Sequence, residues 1–273
     1  LSAWVSLETP PDVPLSTVRA AEPRVLYAVT EMRPVLEGPP DAGEVIAKVH
    51  GEGYAGLMFW FGNPYKFEGR VADRIDDPVY EPLFSELERA GVMLTSGQIA
   101  DPNGPFGDRQ EWMPDPVQYW TQIRAFENVL ARHPGLTVIG AYCAWIICQD
   151  GQVDFLRYLM ATYPNLYVDL GAVCQYMHLV DRDNLREFYI EFADRILFGS
   201  DGGRFSGLAE DYADRYARFM ALLETDMTVN GGYWGDTPTR GLDLPREVLE
   251  KIYYRNALRL YPDLRKLITL PQG

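Results

Sequence analysis

The sequence predicts an α/β fold built on a parallel sheet, and three observations carry that prediction. Short apolar runs alternate with longer stretches of helical period. Several of the runs are almost continuously apolar rather than alternating, as strands buried on both faces are. No GxGxxG follows the first strand, and neither GxxxxGKS/T nor a GxSxG elbow occurs. Nucleotide-binding doubly wound sheets therefore lose support, and a βα barrel leads.

The strand-type runs are Arg24–Thr30, Tyr54–Phe61, Val92–Thr95, Leu136–Ala141, Leu166–Leu170 and Arg195–Phe198, with Ala3–Leu7 as a further candidate. That gives six or seven βα units. Between them, Asp41–His50 reads as a helix stopped by Gly51-Glu52-Gly53. Val79–Ala90 carries Leu83, Phe84 and Leu87 on one face and stops at Gly91. Pro116–His133 repeats apolar residues at Tyr119, Ile123, Phe126, Val129 and Leu130 before Pro134-Gly135. Val153–Tyr163, Asn184–Ala193, Gly207–Thr225 and Leu244–Tyr261 complete the helices, the last with Pro245 at its first turn. A single barrel domain over residues 1–273 accommodates all of these elements.

Composition bounds the function. The 273 residues carry 25 Lys and Arg against 39 Asp and Glu, a net charge of −14. Nucleic acid and anionic membrane surfaces demand a basic face, so neither is a predicted partner. No apolar run approaches the ~20 residues that span a bilayer. The chain opens at Leu1 without the features of a signal peptide. Its three cysteines, Cys143, Cys148 and Cys174, read as reduced thiols in or near a core, which fits the cytoplasm. The 6 Trp, 17 Tyr and 12 Phe read either as an aromatic-lined pocket for a flat or apolar organic acid, ester or lactone, or as packing of helices on the barrel and a homodimer face. Phe106–Pro116 and Thr228–Arg240 are long Gly- and Pro-bearing loops suited to cover a site.

In a βα barrel the chemistry sits at the carboxyl ends of the strands. Those ends supply Asn63, Tyr65 and Lys66; Gln98 and Asp101; Tyr142; Asp169, Gln175 and His178; and Ser200, Asp201 and Arg204. Asp201, in FGSDGG just past an apolar strand, is the sharpest candidate. It reads as a metal ligand or general base, with an Asx-turn as the alternative. His178 reads as a general acid or base, or as a surface histidine. His50 and His133 sit at helix ends and read as structural, His133 as a cation at a helix carboxyl end.

Four segments resemble the amidohydrolase-related proteins of the amidohydrolase 2 branch: Phe126–Ala141 (FENVLARHPGLTVIGA), Tyr163–Leu170 (YPNLYVDL), Ala193–Asp201 (ADRILFGSD) and Leu244–Ala257 (LPREVLEKIYYRNA). Gln98–Pro102 (QIADP) resembles that family's His-Ile-Ala-Asp-Pro. The resemblance spans roughly Tyr54 to Pro262 and implies a distorted (β/α)8 TIM-like barrel, with its first strand absent or upstream of Leu1. Aligned in this way, Arg24–Thr30 corresponds to strand 3 and Tyr54–Phe61 to strand 4. The family's metal set is His-x-His after strand 1, one His each after strands 5 and 6, and an Asp after strand 8. In this chain Gln98 stands at the strand 5 position and Tyr142 at the strand 6 position. Asp201 keeps the strand 8 carboxylate, and no His-x-His occurs.

A catalytic zinc wants three ligands of His, Cys, Asp or Glu type, and one of the aligned positions qualifies. The expectation is therefore no resident cofactor. A divalent ion, Zn or Mn, would be held at Asp201 only if residues before Leu1 supplied two histidines. The resemblance implies a hydrolase or decarboxylase for a small carboxylated or aromatic substrate. Asp201 and His178 would move protons. Gln98, Tyr142, Trp60, Lys66, Arg204 and Trp145 would bind and orient the substrate. Two alternatives stay open: a non-catalytic relative that binds a small organic ligand, and a variant lacking strand 1, whose parallel edges would invite another chain.

Overall fold

The computed structural model describes residues 4–6, 14–21, 23, 25–31, 38–59, 61, 74–97, 99, 116–199, 209–230 and 237–267. Its strands are β1 (Trp4–Ser6), β2 (Val25–Tyr27), β3 (Val29–Glu31), β4 (Leu57–Phe59), β5 (Leu94–Ser96), β6 (Val138–Gly140), β7 (Leu166–Asp169), β8 (Ile196–Leu197), β9 (Thr228–Val229) and β10 (Thr239–Arg240). Its helices are α1 (Leu15–Ala21), α2 (Ala42–Ala47), α3 (Glu81–Ala90), α4 (Pro116–Arg132), α5 (Asp150–Thr162), α6 (Arg182–Glu191), α7 (Ala209–Glu224), α8 (Arg246–Glu250), α9 (Asn256–Leu260) and α10 (Leu264–Leu267).

Strands β3 to β8 form one sheet in chain order, every neighbouring pair parallel. Strand β1 pairs parallel with β2, which runs through Ala28 into β3. The run Arg24–Thr30, expected as one strand, is thus two short strands in two sheets. The candidate strand at Ala3–Leu7 is present as β1.

Period-2 alternation divides the two faces of the sheet. Val138, Leu166, Val168 and Ile196 share one core with Phe84, Phe126, Leu156 and Phe188 of the surrounding helices. Ile139, Leu197 and Leu26 instead join Leu258, Tyr261 and Leu264 from the carboxyl-terminal helices. Leu26 of β2 and Leu197 of β8 lie at opposite ends of the strand order, yet fall in one cluster. The strands therefore curl toward a barrel, as the parallel, doubly buried runs predict. No helix among the described residues is long and apolar enough to cross a membrane.

Polar side chains at the strand entries tie the units together. Asn165, just before β7, donates to the carbonyls of His133 (2.9 Å) and Leu136 (3.1 Å) beyond the end of α4. Arg195, just before β8, donates to Met160 O and Tyr163 O around the end of α5. Asn256, 1% exposed, donates to Ala193 O and Ile196 O, both at 2.7 Å. Each satisfies carbonyls that a helix end or strand entry leaves without partners.

His133 is buried with Nδ1 3.1 Å from Glu88 and Nε2 3.2 Å from Glu81. It is structural as expected, but two carboxylates hold it rather than a helix dipole alone. His50 sets Nε2 3.0 Å from Ala90 O. The three cysteines are free thiols, Cys143 and Cys148 buried.

The periodic stretches end differently from their patterns in two places. The helix expected over Asp41–His50 passes from α2 into a π-turn at Lys48–Glu52. The one expected over Leu244–Tyr261 is α8, a π-turn at Lys251–Arg255, and α9. A π-turn shifts the backbone bonding by one residue. Here it accompanies a bond from the Phe198 N–H to the carbonyl of Ile252 (2.9 Å), which joins the end of β8 to the carboxyl-terminal helices.

Replacing Asn256 with Ala leaves two buried carbonyls without their donor. We expect Asn256→Ala to lose about 2–4 kcal/mol of stability, read as a lower urea midpoint at unchanged slope. A loss below about 0.5 kcal/mol would show that the tie is dispensable.

Candidate active site

The carboxyl ends of β6, β7 and β8 converge on Asp169. In β7 the period of two places Asp169 on the same side as Tyr167, away from the helix-facing Val168. Its Oδ1 accepts the N–H of Tyr142, from the β6 end, and the N–H of Gly171, both at 2.9 Å. The Cys143 thiol donates to the Asp169 carbonyl at 3.4 Å. The β8 end presses on the same group. A Cβ on Gly199 would lie 2.7 Å from Gly171 N and 3.3 Å from Asp169 Oδ1, so only glycine fits there without displacement.

The segment after β6 has an unusual backbone. Tyr142, Cys143, Ala144 and Trp145 all have positive φ, between 52° and 58°. Four successive non-glycine residues form a left-handed turn, each at a cost of roughly 1–2 kcal/mol. Ala172, just after Gly171, is also left-handed, with φ 51°. Strain of this kind concentrates at functional sites.

The turn places its aromatic rings on one wall. Tyr142 stacks on Trp145, with centroids 4.7 Å apart and planes 14° apart. Trp145 meets Tyr176 edge-on at 5.1 Å. A Cβ on Gly171 would come within 3.1 Å of the Tyr142 ring, so this glycine admits the phenol. Tyr176 belongs to the helical turn Val173–Leu179, which follows β7.

Burial dominates the electrostatics. Asp169 is partly buried as a residue. Desolvation pushes its carboxyl up to about 6, against the lowering effect of the two backbone N–H groups. Burial also raises the Cys143 thiol, and the Asp169 charge adds to it. The Tyr261 phenol, on the far core, is raised by burial and then by the same carboxylate.

The structure brings Tyr142 and Trp145 together. It leaves His178 exposed, without a hydrogen bond or ion pair among the described residues, although its neighbours Gln175, Tyr176 and Met177 are buried. Asp201, Gln98, Trp60, Lys66 and Arg204 lie outside the described residues, as do nearly all of the expected cover loop Phe106–Pro116 and residues 231–236 of Thr228–Arg240. The ends of the latter loop pair as the antiparallel strands β9 and β10. Arg182 and Arg186 hold the chain just beyond it through Gly241 O and Leu242 O.

The residue that sequence reasoning passed over is Asp169. It appears among the strand-end residues but is not selected. The available signal was a carboxylate embedded in the apolar run Leu166–Leu170, which must be either satisfied or used. A groove of about 430 Å³ elsewhere is lined by Arg74, Asp76, Val117, Trp120, Arg124 and Asn128, and contains none of the candidate residues.

Among the described residues no three His, Cys, Asp or Glu side chains are grouped to hold an ion. A catalytic zinc takes three such ligands. Tyr142, at the end of β6, lies with its ring flat on Trp145.

Comparison with known proteins places this geometry. The amidohydrolase family model (Amidohydro_2) matches residues 44–262. The chain belongs to the amidohydrolase family. A search of curated proteins found no match. Among solved structures, an uncharacterised TIM-barrel protein from Bordetella bronchiseptica is similar with TM-score 0.60 at 18% identity, covering 96% of this chain and 78% of that one. A 2,6-dihydroxybenzoate decarboxylase from Rhizobium gives TM-score 0.55 at 17% identity, covering 91% and 74%. A 4-oxalomesaconate hydratase from Rhodopseudomonas palustris gives 0.53 at 14%, covering 91% and 69%. At these identities the structural likenesses establish the fold, a TIM-like α/β barrel, and the family match establishes membership.

The raised carboxyl predicts a pH signature. A carboxyl whose folded pKa exceeds its unfolded value, 3.8 against about 6 here, binds its proton more tightly in the folded state. Its stabilising contribution is complete below 3.8 and is lost as pH rises through 6. Asp169→Asn keeps the acceptor oxygen and removes the ionisation. We expect the variant to gain on the wild type by about 1–3 kcal/mol between pH 4 and pH 7.5, in paired urea titrations. An identical difference at both pH values would show that the carboxyl titrates normally.

Proposed function

We propose that the chain is a single-domain amidohydrolase-family enzyme, a hydrolase or lyase for a small carboxylated or aromatic substrate bound at the carboxyl ends of the strands. The observation that carries this reading is the cluster of Tyr142, Trp145 and Tyr176 around Asp169 where three strand ends meet. A stacked aromatic wall beside a buried carboxylate suits a flat organic molecule with a few directed polar groups. Family membership supports an enzyme, and two of the structural neighbours are named for a decarboxylase and a hydratase.

In this reading Asp201 is the general base. It takes a proton from water as the water oxygen bonds to the substrate carbon, or takes a proton directly from the substrate. His178, which follows Tyr176 on the same helical turn, returns a proton to the leaving group. Tyr142, Trp145 and Trp60 hold the flat part of the substrate. Gln98 orients it, and Lys66 and Arg204 neutralise its carboxylate.

A specific observation favours a second reading. Gln98 and Tyr142 stand where the family resemblance places two ligand histidines, and a pocket that kept its shape while losing its ligands would bind a small organic molecule without turnover.

Turnover of 2,6-dihydroxybenzoate and of a panel of aryl esters and lactones separates the two, with Asp201→Asn as the decisive variant. We expect kcat/KM to fall by roughly 10²–10⁴ in that variant and the acidic limb of the pH profile to disappear. Unchanged rates would remove Asp201 from the mechanism, and no turnover by the wild type on any probe would favour the binding module. Elemental analysis of the purified protein checks the donor count. We expect bound zinc and manganese well below one equivalent, and a full equivalent of either would contradict the metal-free reading.

A further inference from the structure

We propose that Asp169 is a positioning residue of the candidate site, whose Oδ1 clamps the left-handed Tyr142–Trp145 turn to the Gly171 turn and so sets where the Tyr142 and Trp145 rings stand. That role takes its functional meaning from the reading of the strand ends as the active site.

The turn needs a clamp. Four consecutive left-handed residues without a glycine cost about 4–8 kcal/mol relative to ordinary backbone, so the surroundings must over-determine them. Asp169 is placed to do so. It receives the N–H of Tyr142, the residue at which the left-handed stretch begins, and the N–H of Gly171 through the same oxygen. A second tie, from the Cys143 thiol to the Asp169 carbonyl, fixes the next residue of the turn to the same point of β7.

The consequence reaches the rings. The Tyr142 phenol lies over Gly171, close enough that a Cβ there would sit 3.1 Å from it, and Trp145 lies flat on Tyr142. Moving the Tyr142 backbone by an ångström displaces both rings, and with them the wall proposed to hold a flat substrate. Release of the clamp leaves two inward-facing N–H groups unsatisfied, at roughly 1–3 kcal/mol each.

A carboxylate is a costly way to accept two N–H groups in this place. Among the described residues it faces the Tyr142 and Gly171 N–H groups, its charge is felt by the Cys143 thiol and the Tyr261 phenol, and no cation is among them. An asparagine would accept the same two bonds without ionising. The clamp is therefore separable from the charge, and the two variants Asp169→Asn and Asp169→Ala separate them.

The test is amide hydrogen exchange at Tyr142 and Gly171, with the near-ultraviolet circular dichroism band of the Tyr142–Trp145 stack, defined as wild type minus Trp145→Phe, as the spectroscopic signature. We expect both amides to be protected in the wild type and in Asp169→Asn, and to exchange at least about tenfold faster in Asp169→Ala. The stack band should persist in Asn and collapse in Ala. Unprotected amides in the wild type would overturn the proposal, as would an Ala variant with wild-type protection and band, or an Asn variant that behaves like Ala. If Asp169→Ala does not fold, wild-type protection and the Asn variant decide the matter. None of these readouts uses a substrate, so failure of the clamp is distinguishable from failure of the proposed activity, which is read by turnover in Asp201→Asn.

Discussion

One carboxylate oxygen organises the mouth of the barrel. Asp169 Oδ1 takes an N–H from the loop after β6 and another from the loop after β7, while Gly199 at the end of β8 lies against the same atoms. Each of these strand ends would otherwise be an independent surface loop, free to settle its own backbone. Because they share an acceptor, the left-handed turn at Tyr142–Trp145, the glycine under the phenol and the aromatic wall form one unit. The interaction is charged, enclosed and shared by two donors, which makes it strong locally and expensive in desolvation. That combination belongs to sites where a protein gives up stability for geometry.

The two ends of the barrel follow different logic. At the amino-terminal end, Asn165, Arg195 and Asn256 satisfy backbone carbonyls left over by the preceding helices, and His133 is held between two glutamates. These residues lie in the segments that resemble the family most closely, and they belong to its frame. At the carboxyl-terminal end the Tyr142 phenol lies flat on Trp145, and the two rings form one wall beside Asp169.

The strands were legible in the sequence because parallel strands buried on both faces are largely apolar, as β4 (LMF), β6 (VIG) and β8 (IL) are. The helices were legible from their one-sided periodicity, as in Leu83, Phe84 and Leu87 of α3. The π-turns were not, since they keep helical periodicity while shifting the hydrogen bonds by one residue. The break at Ala28 was not legible either, because an apolar run carries no mark of where it leaves one sheet for another. In the site, Tyr142 and Trp145 follow from their position after a strand. Asp169 does not, because nothing in Tyr-Val-Asp-Leu says that the carboxylate will meet N–H groups from a loop 27 residues earlier. Nor does any propensity announce four left-handed residues in Tyr-Cys-Ala-Trp, which long-range contacts alone impose.

That a carboxylate enclosed by protein gathers the strand ends can be read from the 13Cγ chemical shift of Asp169 between pH 3 and pH 9, assigned by its absence in Asp169→Asn. The expected midpoint is near 6. A midpoint at the ordinary carboxylate value of about 3.9 would contradict it, since it would show a carboxylate in water rather than one enclosed at the junction of the three strand ends.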